Sequence, residues 1–132
     1  GRSTQERPLP TPTFAREEGE FNTRINRLPP RARVDLFWHK THYLRAAWVP
    51  ADGRELRPLY RYPDPPAVFA RGLRVRGITH LAVWPATLVG YPIWRDPQGP
   101  LMRMLENPAL ARLIWRGEAG LIYELQPPRT SP

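Results

Sequence analysis

The sequence contains no cysteine. That excludes a disulfide framework and any thiolate zinc site, and it leaves the compartment unmarked. Long apolar runs are also missing. A bilayer span needs about 18 such residues, and the nearest approach, residues 78–94, is broken by His80, Pro85, Gly90 and Pro92. No charged-then-apolar leader opens the chain at Gly1, so no secretory signal is visible and the sequence reads as a processed protein or an excised domain. Serine occurs only as Ser3 and Ser131, near the two ends, which disfavours a serine nucleophile. Lysine is reduced to Lys40.

What is present is arginine, proline and tryptophan. The 132 residues carry a net charge of +8, with 18 Pro, five Trp and 41% hydrophobic residues. This length fits one domain with a real core. So many prolines require short strands and helices with rigid connections. Three parts are expected: a flexible Pro-rich tail or linker over 1–13, one domain over 14–126, and a Pro-rich tail over 127–132. Arginine pairs with phosphate and carboxylate and stacks on rings, so the charge points to an anionic partner such as nucleic acid or lipid phosphate. Its scattered distribution equally fits a source that uses Arg in place of Lys. No nucleic-acid-binding motif accompanies it, which places nucleic acid behind the other partners.

The patterning predicts an α/β fold: a small mixed sheet of about five strands, two to three covering helices and a C-terminal β-hairpin. Thr13 is placed to cap a helix over 14–28, with Glu17 and Glu18 in its first turns and Phe14, Phe21, Ile25 and Leu28 on one face. In 34–39, Val34, Leu36 and Trp38 point one way, and Asp35, Phe37 and His39 the other, as in a strand covered on both sides. Further strands are expected near 44–49, 79–84, 112–116 and 121–125. A helix over 66–76 presents Val68, Phe69 and Leu73 and ends at a left-handed Gly77. A short helix over 100–106 turns Leu101, Met104 and Leu105 inward, and residues 85–99 read as a long loop.

His39 and His42, with His80 as a third ligand, would be the metal candidates. Their spacing matches no known metal pattern, and ordinary hydrogen bonds account for them, so no metal is assigned. The acidic residues fall mostly at helix starts and turns, where capping explains them, and no catalytic set emerges. Gly72 and Gly77 lack the pattern of a phosphate-binding loop, so no cofactor is implied. Tyr91, Trp94 and Arg95 lie on the Pro/Gly-rich stretch after the third strand. They either stack on a sugar or a base, or sit at a membrane interface, or fold back as a lid on the core; the lid is the preferred reading for Tyr91 and Trp94.

Three segments carry a resemblance: Asn26-Arg27-Leu28-Pro29-Pro30-Arg31-Ala32-Arg33-Val34 with the later His42-Tyr43-Leu44, then Arg76-Gly77-Ile78-Thr79-His80-Leu81-Ala82-Val83, then Gly120-Leu121-Ile122-Tyr123-Glu124-Leu125. In this order they resemble the water-exposed C-terminal domain of membrane glycosyltransferases that use lipid-phosphate sugar donors, the dolichyl-phosphate-mannose protein mannosyltransferase and aminoarabinose transferase type. The resemblance spans about 21–125. Tyr43 stands where that family often has two tyrosines, and Trp84-Pro85 replaces a more usual polar residue. It implies a non-catalytic accessory domain on the extracytoplasmic face, attached to a membrane-embedded part that holds the catalytic acids, near a lipid phosphate or a sugar acceptor. Apart from the resemblance, the candidate contact residues are Tyr91, Trp94 and Arg95, with His42 and Tyr43. The competing expectation is a basic accessory subunit that docks on a larger membrane or ribonucleoprotein assembly.

Overall fold

The structure is a computed structural model that describes residues 12–38, 40–61 and 64–128. Residues 1–11 and 129–132, most of the two expected tails, lie outside the described residues, as does His39. The fold is α/β, as the patterning requires. In chain order the strands are β1 (Arg33–Phe37), β2 (Ala47–Pro50), β3 (His80–Val83), β4 (Ala111–Arg116) and β5 (Leu121–Leu125); the helices are α1 (Pro12–Asn26), α2 (Pro66–Val75), α3 (Pro92–Arg95) and α4 (Pro100–Leu105). The sheet order is β2-β1-β3-β5-β4. β1 is parallel to both β2 and β3, β5 is antiparallel to β3, and β4 and β5 form the expected terminal hairpin.

The alternation in β1 divides the interior in two. Val34, Leu36 and Trp38 join Phe21 and Ile25 of α1 on one face. Phe37 joins Phe69 and Leu73 of α2, Met104 of α4 and Trp94 of α3 on the other. The sheet is therefore the middle of three layers, and each strand of the central trio buries both faces. Thr79 ties that trio together: its hydroxyl accepts from Arg33 N at 2.9 Å, its N–H donates to Arg33 O at 2.9 Å, and its carbonyl accepts from Leu125 N at 2.9 Å. Gly77 has φ +82°, where a side chain would be strained, and it turns α2 into β3.

Several expectations are corrected. The second strand starts at Ala47, not 44, because Arg45 N and Ala46 N donate to the Asn26 side chain instead of to a neighbouring strand. Thr13 lies inside α1, which already begins at Pro12, so it does not cap the helix. Val68 is 37% exposed, and Ala70 takes its place on the buried face of α2. Residues 85–99 are not a plain loop. They hold a 3-10 helix, Pro85–Gly90, and then α3. The physical reason is proline at the first helical position. Pro66, Pro85, Pro92 and Pro100 each open a helical segment, where the missing N–H has no cost and φ is preset. Among the described residues no helix is long and apolar enough to cross a membrane.

Candidate functional site

The carboxyl ends of the parallel strands β2, β1 and β3 lie at one edge of the sheet, the position where open α/β sheets hold ligands. Two connections meet there. The chain leaving β2 contributes Ala51, Asp52, Arg57 and Tyr60. The chain leaving β3 contributes Tyr91, Ile93 and Trp94. Together they line a pocket of about 330 Å³, within the size range of small-ligand sites.

Aromatic rings build its wall. Trp94, 4% exposed, packs its ring edge-to-face on Phe37 at 4.8 Å, with Tyr60 tilted against it at 5.8 Å. Tyr91 stacks on Trp94 with centroids 4.0 Å apart and 23° between planes. Its hydroxyl donates to Asp52 Oδ2 at 2.9 Å, and this bond and the Asp52 charge raise the Tyr91 pKa. Arg57 donates from Nε and Nη2 to the Asp52 carbonyl, at 3.3 and 3.0 Å. The rim thus presents a carboxylate, a phenol and a guanidinium beside an apolar wall.

Beneath Tyr60 lies Asp35, fully buried in the centre of β1. The Tyr60 hydroxyl donates to its Oδ2 at 3.2 Å, and among the described residues Oδ1 has no partner. Burial raises this carboxyl from an ordinary 3.8 to about 8, against the opposing pull of the Tyr60 hydrogen bond. At neutral pH Asp35 is therefore mostly protonated. The Tyr60 phenol is itself pushed well up by burial and by Asp35. Sequence reading missed this pair. The available signal was Asp35 within a strand read as covered on both sides; its partner is remote in sequence.

The sequence-derived contact residues separate into two places. Tyr91 and Trp94 line the pocket, Trp94 as the buried lid, while Arg95 at the end of α3 is exposed and is not among the pocket's lining residues. Tyr43, 75% exposed, lies instead on the connection between β1 and β2, where it lines a separate open cleft of about 480 Å³ with α1. His42 is exposed next to it, its ring edge-on to Tyr43 at 6.2 Å. His42 follows the carboxyl end of β1, whereas His80 starts the parallel strand β3, so the two histidines sit at opposite ends of the sheet. His80 is buried, shares a 2.7 Å hydrogen bond with Thr79 and has a pKa lowered mainly by burial. No metal-binding cluster occurs among the described residues.

No protein-family model matches the chain, and no curated protein or solved structure matches it.

Proposed function

We propose that this chain is the water-exposed, non-catalytic accessory domain of a membrane glycosyltransferase that uses lipid-phosphate sugar donors, located at the extracytoplasmic face. The observation that carries the reading is where the three resembling segments fall. The first runs from the end of α1 into β1, the second from the cap of α2 into β3, and the third is β5. These strands are adjacent in the sheet, in the order β1-β3-β5. The segments therefore meet as neighbouring strands of one sheet, which supports reading them together. The pocket of Tyr60, Tyr91 and Trp94 fits a role in acceptor engagement. The C–H face of a sugar ring suits an aromatic wall, and hydroxyl groups suit Asp52 and Arg57 on the rim.

The test is the gene and its membrane product. The reading frame that contains this chain should encode several apolar stretches of about 20 residues. Its product should transfer sugar from a polyprenyl-phosphate donor in isolated membranes, and removal of residues 12–128 should lower that transfer while leaving the protein membrane-inserted. A reading frame with no apolar span on either side of this chain would sink the proposal. The second reading, a basic subunit docking on a larger assembly, draws on the two edge strands. There Trp48 of β2 and Leu113 and Ile114 of β4 are exposed at 36–37%. Co-purification of the chain within a stable complex that contains no transferase would favour it.

A further inference from the structure

We propose that the cleft between α1 and the β1–β2 connection is a phosphate-binding site, with Arg27 and Arg45 as the paired anchors. Its walls are Gly19, Asn22, Thr23, Asn26, Arg27, Tyr43 and Arg45. Among the described lining residues none is acidic. Arg27 and Arg45 are both exposed, and among the described residues neither forms an ion pair. Some arginines outside the cleft do meet carboxylates, as in Arg33–Glu55 and Arg112–Glu124. Glu18, which precedes the lining residue Gly19 in sequence, is paired with Lys40 at 2.9 Å.

The cleft is held in shape from within. Asn26, the last residue of α1, donates from Nδ2 to Tyr43 O at 2.8 Å and accepts at Oδ1 from Arg45 N at 2.7 Å and Ala46 N at 3.3 Å. One side chain thus clamps the connection to the end of α1, and Arg45 and Arg27 line the same cleft. Asn22 is fixed in turn by accepting from Trp38 Nε1 at 3.1 Å. Among the described residues, the two guanidiniums, the Thr23 hydroxyl and the Tyr43 phenol of this lining form no side-chain hydrogen bond or ion pair. These are donors, and a tetrahedral oxyanion accepts from several at once. The carboxyl end of α1 opposes an anion with about half a negative charge, which two full positive charges outweigh. Guanidinium favours phosphate because its N–H fork matches two oxygens. The phosphate is either a free monoester or a lipid headgroup, and the geometry serves both. The site stands on its own residues, so a gene without membrane spans would overturn the transferase reading and leave it untouched.

The experiment uses the full chain at low ionic strength. Inorganic phosphate is titrated in by calorimetry, and sedimentation is measured with vesicles of phosphatidylcholine alone and of phosphatidylcholine with phosphatidic acid at about 4:1. Binding is expected in at least one arm. Phosphate alone identifies a soluble ligand, and the phosphatidic acid vesicles alone identify a headgroup. The double variant Arg27→Gln/Arg45→Gln should bind at least about tenfold more weakly, as expected when charge-assisted hydrogen bonds are lost. The control variant Arg54→Gln/Arg71→Gln removes the same charge from exposed positions outside the cleft and should bind like the parent chain. Thermal melts establish that each variant folds, and Arg45→Gln alone replaces the double variant if that one does not. Absence of binding in both arms overturns the proposal, and so does equal weakening in the two double variants.

Discussion

At the scale of single residues, Asp35 carries a desolvation cost. A carboxyl is buried in the middle of the sheet with one oxygen unpartnered. The unfolded carboxyl titrates near 3.8 and the folded one at about 8. Between these values the folded chain keeps a proton that the unfolded chain has released, so this group makes stability fall as pH rises across the window, and the loss levels off above it. Asp35→Asn removes the titration. Its stability advantage over the parent chain should be small at pH 4 and grow to several kcal/mol by pH 9, measured by urea unfolding at each pH. Parallel profiles for the two proteins would show that Asp35 is not the titrating group. Trp94 makes the complementary case. It touches Phe37, Tyr60 and Tyr91 at once, so Trp94→Ala should cost about 3–5 kcal/mol. A mild effect on the unfolding midpoint would identify Trp94 as a contact residue rather than a lid.

At the scale of elements, short segments are aimed by local devices. Gly77 is one. Ala at φ +82° should cost about 1–2 kcal/mol, and Asn, which tolerates the left-handed region, should cost less. Equal losses for the two substitutions would argue that packing, not backbone conformation, requires glycine. The bulge in β4 is another. Leu113 pairs with Tyr123, but Trp115 pairs with Ile122. The extra residue, Ile114, changes the parity of the strand, so Trp115 reaches the α1 face and stacks on Phe21 at 6.4 Å. The hairpin itself was legible from Gly117 and Gly120 between apolar runs. The bulge was not, since alternation along one strand does not report how its partner is registered. The helices opened by Pro85 and Pro92 were also unread, because proline marks a helix start and a loop alike.

At the scale of the whole molecule, two cores share one sheet, one under α1 and one under α2 and α4. Trp38 belongs to the first and Leu81 to the second, at 6% and 0% exposure. Trp38→Ala and Leu81→Ala should each cost about 2–5 kcal/mol. Both should shift one common transition, because each central strand belongs to both cores. Two separate transitions by fluorescence and far-UV circular dichroism would show that the layers unfold independently. What the sequence determined by itself was local and periodic: which way Val34, Leu36 and Trp38 face against Asp35 and Phe37, where α2 stops, and where the chain turns back into its last strand. These follow from the two-residue period of strands, the 3.6-residue period of helices and the backbone freedom of glycine, all readable over a few positions. Only the tertiary structure decided that Tyr60 bonds Asp35, that Tyr91 meets Asp52, and that Arg45 and Arg27 line one cleft. Those pairs depend on the strand order β2-β1-β3-β5-β4 and on side chains such as Asn26, which withdraws Arg45 and Ala46 from the sheet. Contacts so far apart in sequence leave no periodic trace, because they are selected by the packing of the whole chain and not by any one segment.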